Sequence, residues 1–198
     1  MREGVYFFPH TLSLLPKAQQ DIVNNMLPGD TGFEIECRTN VESYIVKLRL
    51  IKLGAVESKC DFNEIRFRIQ PGIQGLVVLH NCLEYLKTVC HPNPASGIHY
   101  HIDCRDLDWD KVSHDFNRGF RGQWDKYLLD PLVSWGYKGN YNDWRISENK
   151  EAVRLCYYYQ TVEFRIGEHT LDYNLIVHRI VHCHKLVKNW KAYLKRAL

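Results

Sequence analysis

The 198-residue chain lacks most of the features that assign a sequence to a functional class at once. It has no apolar run long enough to span a membrane, and Pro9, His10 and Pro16 interrupt its apolar N-terminal stretch. We therefore expect no membrane segment and no signal peptide. No P-loop, G-x-G-x-x-G or G-x-S-x-G motif occurs. The net charge of +3 is too small to indicate a nucleic acid as a partner.

The cysteines also lack the pattern of a disulfide framework or a structural zinc site. There are seven, an odd number, and no two of them form a C-x-x-C motif. Cys37 and Cys104 each end a predicted strand, which suits small buried thiols in a reducing compartment. We therefore predict seven free thiols and a cytoplasmic protein. No spacing marks one cysteine as a nucleophile.

The sequence does contain one design that is repeated in the segments TGFEIEC (31–37), SGIHYHIDC (96–104) and QTVEFRIG (160–167). In each segment apolar residues alternate with acidic, basic or imidazole side chains, which is typical of a β-strand whose two faces differ. These charged or imidazole side chains are Glu34 and Glu36, His99 and His101 with Asp103, and Glu163 and Arg165. If the three strands belong to one sheet, these side chains converge on one face and form a site for divalent metal and phosphate.

The chemistry of these side chains favours hard divalent cations. Mg²⁺ prefers carboxylate oxygens, and the glutamates of a Glu-x-Glu strand lie about 7 Å apart, which suits two adjacent ions better than one. Imidazole ligands also permit Mn²⁺ or Zn²⁺. A further predicted strand carries Glu64, Arg66 and Arg68, and its two arginines would neutralise a polyphosphate. Any one pair alone would be interpreted as a solvated strand face, so the metal hypothesis depends on their combination.

The clustering of carboxylates has a further consequence for the metal-free protein. Like charges that are held close together in a partly desolvated cleft repel and raise each other's pKa. We therefore expect the glutamates of the cluster to have raised pKa values and to destabilise the protein until a metal ion binds.

Hydrophobic periodicity predicts an alternation of strands and helices along the chain. The predicted strands are 31–38, 60–72, 98–104 and 156–166, and the predicted helices are 18–26, 41–53 with Asn40 as N-cap, 73–89, 106–129 and 172–197. The irregular, aromatic-rich stretch 131–149 is a candidate lid or binding loop, and its aromatic part 135–145 is a candidate substrate cover. We predict a single α+β domain over 1–198, with helices on one face of a mainly antiparallel sheet and an open, functional opposite face.

The three motif strands resemble those of a known superfamily. Gly32-Phe33-Glu34-Ile35-Glu36 is similar to its G-x-E-x-E strand, Gly97-Ile98-His99-Tyr100-His101 to its G-[IML]-H-x-H strand, and Val162-Glu163-Phe164-Arg165 to its [IV]-E-[FV]-R strand. In this order they resemble the amidoligase family, which are compact carboxylate–amine ligases of the glutamine-synthetase superfamily. The resemblance covers about 31–172 and implies a glutamine-synthetase-like catalytic fold, followed by a C-terminal helix over about 172–197.

The resemblance implies ATP-dependent formation of an amide or isopeptide bond. A substrate carboxylate would take the γ-phosphoryl group of ATP, and an amine would displace phosphate from the resulting acyl phosphate. ATP and Mg²⁺, with Mn²⁺ as a substitute, are the implied cofactors, and the implied partners are carboxylate and amine substrates. The implied metal ligands are Glu34, Glu36, Glu64 (or Asp61 in its place), His99 and Glu163. The implied catalytic residues are Glu36, His101, Glu163 and Arg165, and Arg66, Arg68 and His101 would bind the nucleotide.

Two other classes of function could use the same residues. One is a binding or inhibitory module that keeps the scaffold without turnover. The other is a metal-dependent hydrolase or nucleotidyltransferase that uses the same carboxylates. ATP consumption that depends on both metal and amine would distinguish the ligase from these two.

Overall fold

The computed structural model describes residues 14–61, 63–91, 97–110, 112 and 153–197. Its strands are β1 (Thr31–Glu36), β2 (Arg38–Thr39), β3 (Glu57–Cys60), β4 (Glu64–Ile69), β5 (Cys90–His91), β6 (Gly97–Asp103), β7 (Val153–Cys156) and β8 (Thr161–Glu168). Its helices are α1 (Lys17–Met26), α2 (Ser43–Lys52), α3 (Gly72–Val89) and α4 (Tyr173–Ala197). The predicted loop 131–149 with its candidate cover 135–145, and all but the start of the predicted helix 106–129, lie outside the described residues. No helix in the described ranges combines the length and apolar character needed to cross a bilayer.

Six strands form one sheet in the spatial order β3-β4-β1-β6-β8-β7, while β2 and β5 form a separate pair. Every neighbouring pair in the six-stranded sheet is antiparallel. The three motif strands β1, β6 and β8 are therefore direct neighbours, although they lie far apart in the sequence. The predicted α+β class with a mainly antiparallel sheet is confirmed.

One face of the sheet is apolar and packs against the helices. Phe33 and Ile35 of β1 are almost completely buried, and the Phe33 ring stacks on Phe67 of β4 with centroids 4.9 Å apart. Apolar residues from each of the four described helices join the same core. Burial of each large apolar side chain contributes about 1.5–3 kcal/mol, so the alternation in each strand fixes which face meets the helices. The residues between them, such as Glu34, lie on the opposite face.

Polar contacts also attach α4 to the apolar face. Thr31 Oγ1 lies 2.8 Å from His184 Nε2, and Arg179 Nη1 donates to the Tyr100 hydroxyl at 3.5 Å. Burial lowers the pKa of His184 to about 4, so its ring is neutral near pH 7 and can accept the threonine hydroxyl hydrogen.

Two of the predicted strands have different bounds in the structure, because each includes a turn and one residue of the preceding strand. The segment 60–72 was expected to form one strand, but the chain turns after β3, where the Asp61 N–H donates to the Glu64 carbonyl at 2.8 Å, and β4 ends at Ile69. The segment 156–166 instead contains the end of β7, a turn and β8. The turn includes Gln160 at a φ of 52°, a conformation that side-chain periodicity does not reveal.

The start of the second predicted helix is also corrected. Asn40 is not its N-cap, because α2 begins at Ser43 with Glu42 before it. The Asn40 N–H instead donates to the Val89 carbonyl at 3.0 Å, beside the pairing of β2 with β5. A contact with a distant part of the chain therefore overrides the local capping preference of asparagine.

Candidate functional site

The register of the sheet gathers most of the predicted site residues in one region of the face opposite the helix-packed one, which is the face predicted above to be open. Side chains that lie directly opposite each other in antiparallel strands point to the same face. One row of paired residues consists of Arg66, Glu34 and His99. The next row consists of Arg68, Gly32, His101, Glu163 and Arg154. Glu34 and Glu163 therefore lie on the same side of the sheet, as the metal hypothesis requires.

Two histidines connect the carboxylates at the centre of this region. His99 Nδ1 lies 3.1 Å from Glu34 Oε2 and 3.4 Å from Glu163 Oε1. His101 Nε2 lies 3.2 Å from Glu34 Oε1, and its Nδ1 lies 3.0 Å from Thr161 Oγ1. Three strands thus supply one continuous group of carboxylate and imidazole side chains.

This group is buried even though it lies on the open face. Glu163 is 0% exposed, and His99 and His101 are 3% and 7% exposed. A buried carboxylate needs compensating charges or hydrogen bonds, because desolvation of a lone charge is very costly. The surrounding histidines and arginines provide that compensation in the metal-free protein.

The titration of Glu34 corrects the expectation that the carboxylates raise each other's pKa. Burial alone would raise the pKa of Glu34, but the close imidazoles of His101 and His99 hold it well below its usual range. Burial also opposes the charged form of His101, yet its contacts with Cys156 and Glu34 raise its pKa to about 9. Glu64 does follow the expectation, since burial and the charge of Glu34 raise its pKa. The cluster is a set of paired charges, with little uncompensated repulsion around Glu34.

The remaining predicted metal carboxylates lie at the edge of the cluster. Glu36 Oε1 is 3.8 Å from His99 Nε2, while its Oε2 accepts the Gly97 backbone N–H at 2.9 Å. Glu64 is the direct β4 neighbour of Glu36, so it lies on the open face. Asp61, the alternative to Glu64, lies in the β3–β4 turn with an exposed side chain 4.0 Å from Lys59. The structure therefore favours Glu64 as the intermediate carboxylate.

Arginines surround the buried Glu163. Arg165 Nε lies 3.5 Å from Glu163 Oε1 on the same strand. Arg154 of β7 contacts Glu163 Oε2 directly through Nε. Arg154 was not among the residues predicted from the sequence, because the predicted strand 156–166 includes only Cys156 of β7 and Arg154 lies before it. The alternation of Val153 and Arg154 is the signal that could have identified it.

Cys156 is the second residue that the sequence did not single out. It lies opposite Thr161 on β8, two residues beyond Arg154, and so joins the open face. Its contact with the His101 imidazole lowers the pKa of the thiol, although burial opposes this. The spacing of the cysteines does not indicate this arrangement, because His101 is 55 positions away from Cys156 in the sequence.

A cavity of about 190 Å³ adjoins the cluster on the side of β1 and β4. Its lining includes His101, Arg66, Arg68, Arg105 and Tyr159. Gly32 forms part of its floor, where an added Cβ would lie only 3.1 Å from the His101 Cβ.

The two predicted nucleotide-binding arginines line this cavity but already have acidic partners. Arg66 Nη2 donates to Glu64 Oε2 at 2.6 Å, and Arg68 contacts Asp30 through Nη1. Arg68 Nε also lies 3.6 Å from Glu57 Oε2. A phosphate would therefore have to compete with carboxylates for both guanidinium groups.

The described residues contain two groups of side chains that fit a metal ion. One is Glu34, His99 and Glu163, and the other is His101, Cys156 and Glu163, with ligand atoms of each group within 4.8 Å of one another. Glu163 Oε1, His99 Nε2 and His101 Nε2 are buried and make no hydrogen bond. Atoms of this kind are uncommon and costly in folded proteins, so their concentration here supports a bound cation.

No protein-family model and no curated protein matches this chain. The amidoligase resemblance therefore depends on the three strand motifs and on their order. The structure adds that these motifs occupy three adjacent strands and turn their polar residues to one face.

Proposed function

We propose that the protein is an ATP- and Mg²⁺-dependent carboxylate–amine ligase that forms an amide or isopeptide bond. The observation that carries the proposal is Glu163, a completely buried carboxylate that belongs to both metal-fitting groups and is flanked by two arginines. A strand face that serves only as solvated surface has no reason to bury a carboxylate among histidines. A glutamine-synthetase-like fold and the amidoligase family are part of the same proposal.

The residues of the cluster would divide the work by their chemistry. Glu34, His99 and Glu163 would hold a divalent cation, with Glu36 and Glu64 at the edge of the site. Such a cation neutralises the oxygen charge of a transferring phosphoryl group.

Arg165 would orient the anionic group at the reacting centre, since its planar guanidinium can bind two oxygens of a carboxylate or phosphoryl group. Arg66, Arg68 and His101 line the adjoining cavity, where they would contact the nucleotide phosphates. In the reaction, a carboxylate oxygen of the substrate would bond to the γ-phosphorus as ADP leaves. The amine nitrogen would then bond to the acyl carbon as phosphate leaves, with the loss of one proton.

The paired state of the cluster favours a non-catalytic binding module as the second candidate. Arg154 contacts Glu163, and Arg66 contacts Glu64 at 2.6 Å, so the arginines satisfy part of the carboxylate charge without metal. A site of this kind can be a stable scaffold that binds an anion and never turns over.

Hydroxylamine trapping tests the proposal, because hydroxylamine intercepts acyl phosphates as hydroxamates. Purified protein is incubated with ATP, Mg²⁺, hydroxylamine and a panel of carboxylates, and hydroxamate and phosphate are measured. We expect both products, and we expect Mg²⁺ with ATP to stabilise the protein more than either alone. Arg165→Ala should reduce the rate by about 10²–10³-fold, which corresponds to about 2.7–4 kcal/mol for one lost electrostatic contact.

A matched control is Arg49→Ala, because Arg49 lies on α2 above the Tyr85 ring and away from the cluster. This variant should retain full activity. Neither hydroxamate nor phosphate across the panel, with ATP binding still detected, would reject the ligase in favour of the binding module. Phosphate release without any dependence on carboxylate or amine would indicate a hydrolase.

A further inference from the structure

The β7–β8 hairpin adds a sulfur ligand to a cluster that otherwise offers oxygen and nitrogen. Cys156 pairs with Thr161, and Arg154 pairs with Glu163, so both β7 side chains share the open face with Glu163. The ligand atoms of His101, Cys156 and Glu163 lie within 4.8 Å of one another. We propose that these three residues bind a thiophilic divalent cation of the zinc class, at a position distinct from the oxygen-rich group of Glu34 and His99.

The geometry is close to that of a tetrahedral zinc site. Zinc lies about 2.0–2.3 Å from nitrogen, oxygen and sulfur ligands, which places ligand atoms about 3.3–3.8 Å apart in a tetrahedron. The three ligand atoms lie within 4.8 Å of one another. Side-chain rotations that move these atoms by about an ångström would therefore bring them to the tetrahedral spacing. With three protein ligands, the fourth position would stay open to water or a substrate oxygen, as in catalytic zinc sites.

Two buried atoms at this position are free of hydrogen bonds and available to a metal ion. His101 Nε2 and Glu163 Oε1 make no hydrogen bond, although His101 is 7% exposed and Glu163 is 0% exposed. His101 Nε2 approaches Glu34 Oε1 at 3.2 Å without hydrogen-bond geometry. Glu163 Oε1 likewise has only ion-pair contacts, at 3.4 Å to His99 Nδ1 and 3.5 Å to Arg165 Nε, so a metal ion would give both atoms a direct bond.

The type of ligand decides the class of metal. Mg²⁺ takes oxygen ligands and retains water, whereas thiolate and imidazole ligands favour Zn²⁺, Co²⁺ and related ions. A site with one thiolate, one imidazole and one carboxylate therefore discriminates against Mg²⁺. The Glu34, His99 and Glu163 group lacks sulfur and keeps its preference for harder ions.

The charges around the site set a limit on the affinity. Arg154 contacts Glu163 Oε2, and Arg165 Nε lies 3.5 Å from Oε1, so two guanidinium groups compete with the cation for one carboxylate. The Arg154 side chain is 42% exposed and can turn to solvent. We therefore expect Arg154→Gln to bind the cation more tightly than the wild type.

Cobalt provides a direct test, because a thiolate bound to Co²⁺ produces a charge-transfer absorption in the near ultraviolet. The full chain is stripped of metal with a chelator and titrated with Co²⁺ in the absence of nucleotide. We expect this band to saturate at one equivalent, to persist in excess Mg²⁺ and to disappear when Zn²⁺ is added. Cys156→Ser should abolish the band and weaken Zn²⁺ binding at least about 100-fold, since even indirect partners of a metal cost 10–100-fold.

Cys60→Ser is the matched control, because Cys60 is also half-buried but pairs with the core residue Ile65 on β4. This variant should retain the band, and thermal unfolding in chelator checks that both variants fold. Absence of the band in the wild type, or a band that survives Cys156→Ser, would overturn the inference. In the second case other thiols, such as the neighbouring Cys37 and Cys90, would hold the ion.

The inference rests on the proposed function only in the assumption that the cluster holds metal, and the two can fail separately. Hydroxamate formation with Mg²⁺, together with the absence of a cobalt–thiolate band, would support the ligase proposal and reject the zinc-class site. A cobalt–thiolate band in protein that never consumes ATP would support the zinc-class site and reject the ligase proposal.

Discussion

Glu163→Gln is the substitution that tests the metal cluster most directly. The side chain is completely buried, belongs to both metal-fitting groups and contacts Arg154. Glutamine has nearly the same volume and keeps one oxygen that can accept from Arg154, but it removes the negative charge. The variant should therefore lose the metal response while it keeps the fold.

The loss of stability that Glu163→Gln causes in the metal-free protein depends on how exposed Arg154 and Arg165 are. Removal of one member of a fully buried ion pair costs about 3–5 kcal/mol. Here Arg154 and Arg165 have side chains that are 42% and 20% exposed, so water can solvate both guanidinium groups after the substitution. We therefore expect a smaller loss of about 1–3 kcal/mol, near the value of one hydrogen bond to a charged group.

The increase in the free energy of unfolding on metal binding follows from mass action. A ligand present at about 100 times its Kd stabilises the folded state by about 2.7 kcal/mol. For a chain of this size, that corresponds to a rise in Tm of about 5–11 °C. Glu163→Gln should show less than about a tenth of this rise.

The measurement is thermal and urea unfolding in chelator, and then with Mg²⁺ or Mn²⁺. Glu57→Gln is the control, because Glu57 lies at the β3 edge with a side chain that is 67% exposed and 3.6 Å from Arg68. This control should respond to metal like the wild type. A Glu163→Gln variant with the full wild-type response would refute the role of Glu163 as a shared ligand, and no response in the wild type would refute the metal site itself.

Three further predictions concern other parts of the fold. Gly32→Ala should weaken the stabilisation by Mg²⁺ and ATP, because its new Cβ would lie 3.1 Å from the His101 Cβ and displace that ring. The neutral state of His184, whose pKa is lowered to about 4 from 6.5, contributes stability that is present above pH 6.5 and is lost as the pH falls towards 4. The full difference is about 3 kcal/mol, and His184→Gln should remove this part of the pH dependence in denaturant titrations. Denatured, unreduced protein should react with seven equivalents of thiol reagent, since Cys37 and Cys90 lie 2.9 Å apart as thiols without a bond between them.

Each of these predictions has a result that contradicts it. Gly29→Ala is the control for the glycine, because its Cβ would meet only an ordinary contact at 3.6 Å from Asp103. Equal metal responses in both alanine variants would show that the close approach at Gly32 is unimportant. An unchanged acid transition in His184→Gln would assign that transition to other groups, and fewer than seven reactive thiols would contradict the reducing-compartment prediction.

The faces of the strands were predictable because side-chain alternation is a local property. In β1 and β4 the charged residues, such as Glu34 and Arg66, alternate with phenylalanine and isoleucine, and burial of the apolar set leaves the charged set on the other face. The long helices α3 and α4 were predictable for the same reason, since their apolar periodicity extends over many residues.

The turns were not predictable from this pattern. Alternation indicates a strand but not where the strand begins, so the predicted strands 60–72 and 156–166 each cross a turn and include one residue, Cys60 or Cys156, of the preceding strand. The turn at Gln160 depends on one residue with positive φ, which the sequence around it does not indicate. This one turn brings Arg154 and Cys156 to the cluster.

The sequence by itself therefore determined which residues face away from the core, because that depends on a period of two along each strand. The tertiary structure decided which of those residues meet. Glu34 contacts His99, 65 positions later, because β1 and β6 pair in one register, and a shift of one residue would have separated them. That register is chosen by the packing of Phe33 and Tyr100 against the helices, which is a sum of many non-local contacts and not a property of any one segment.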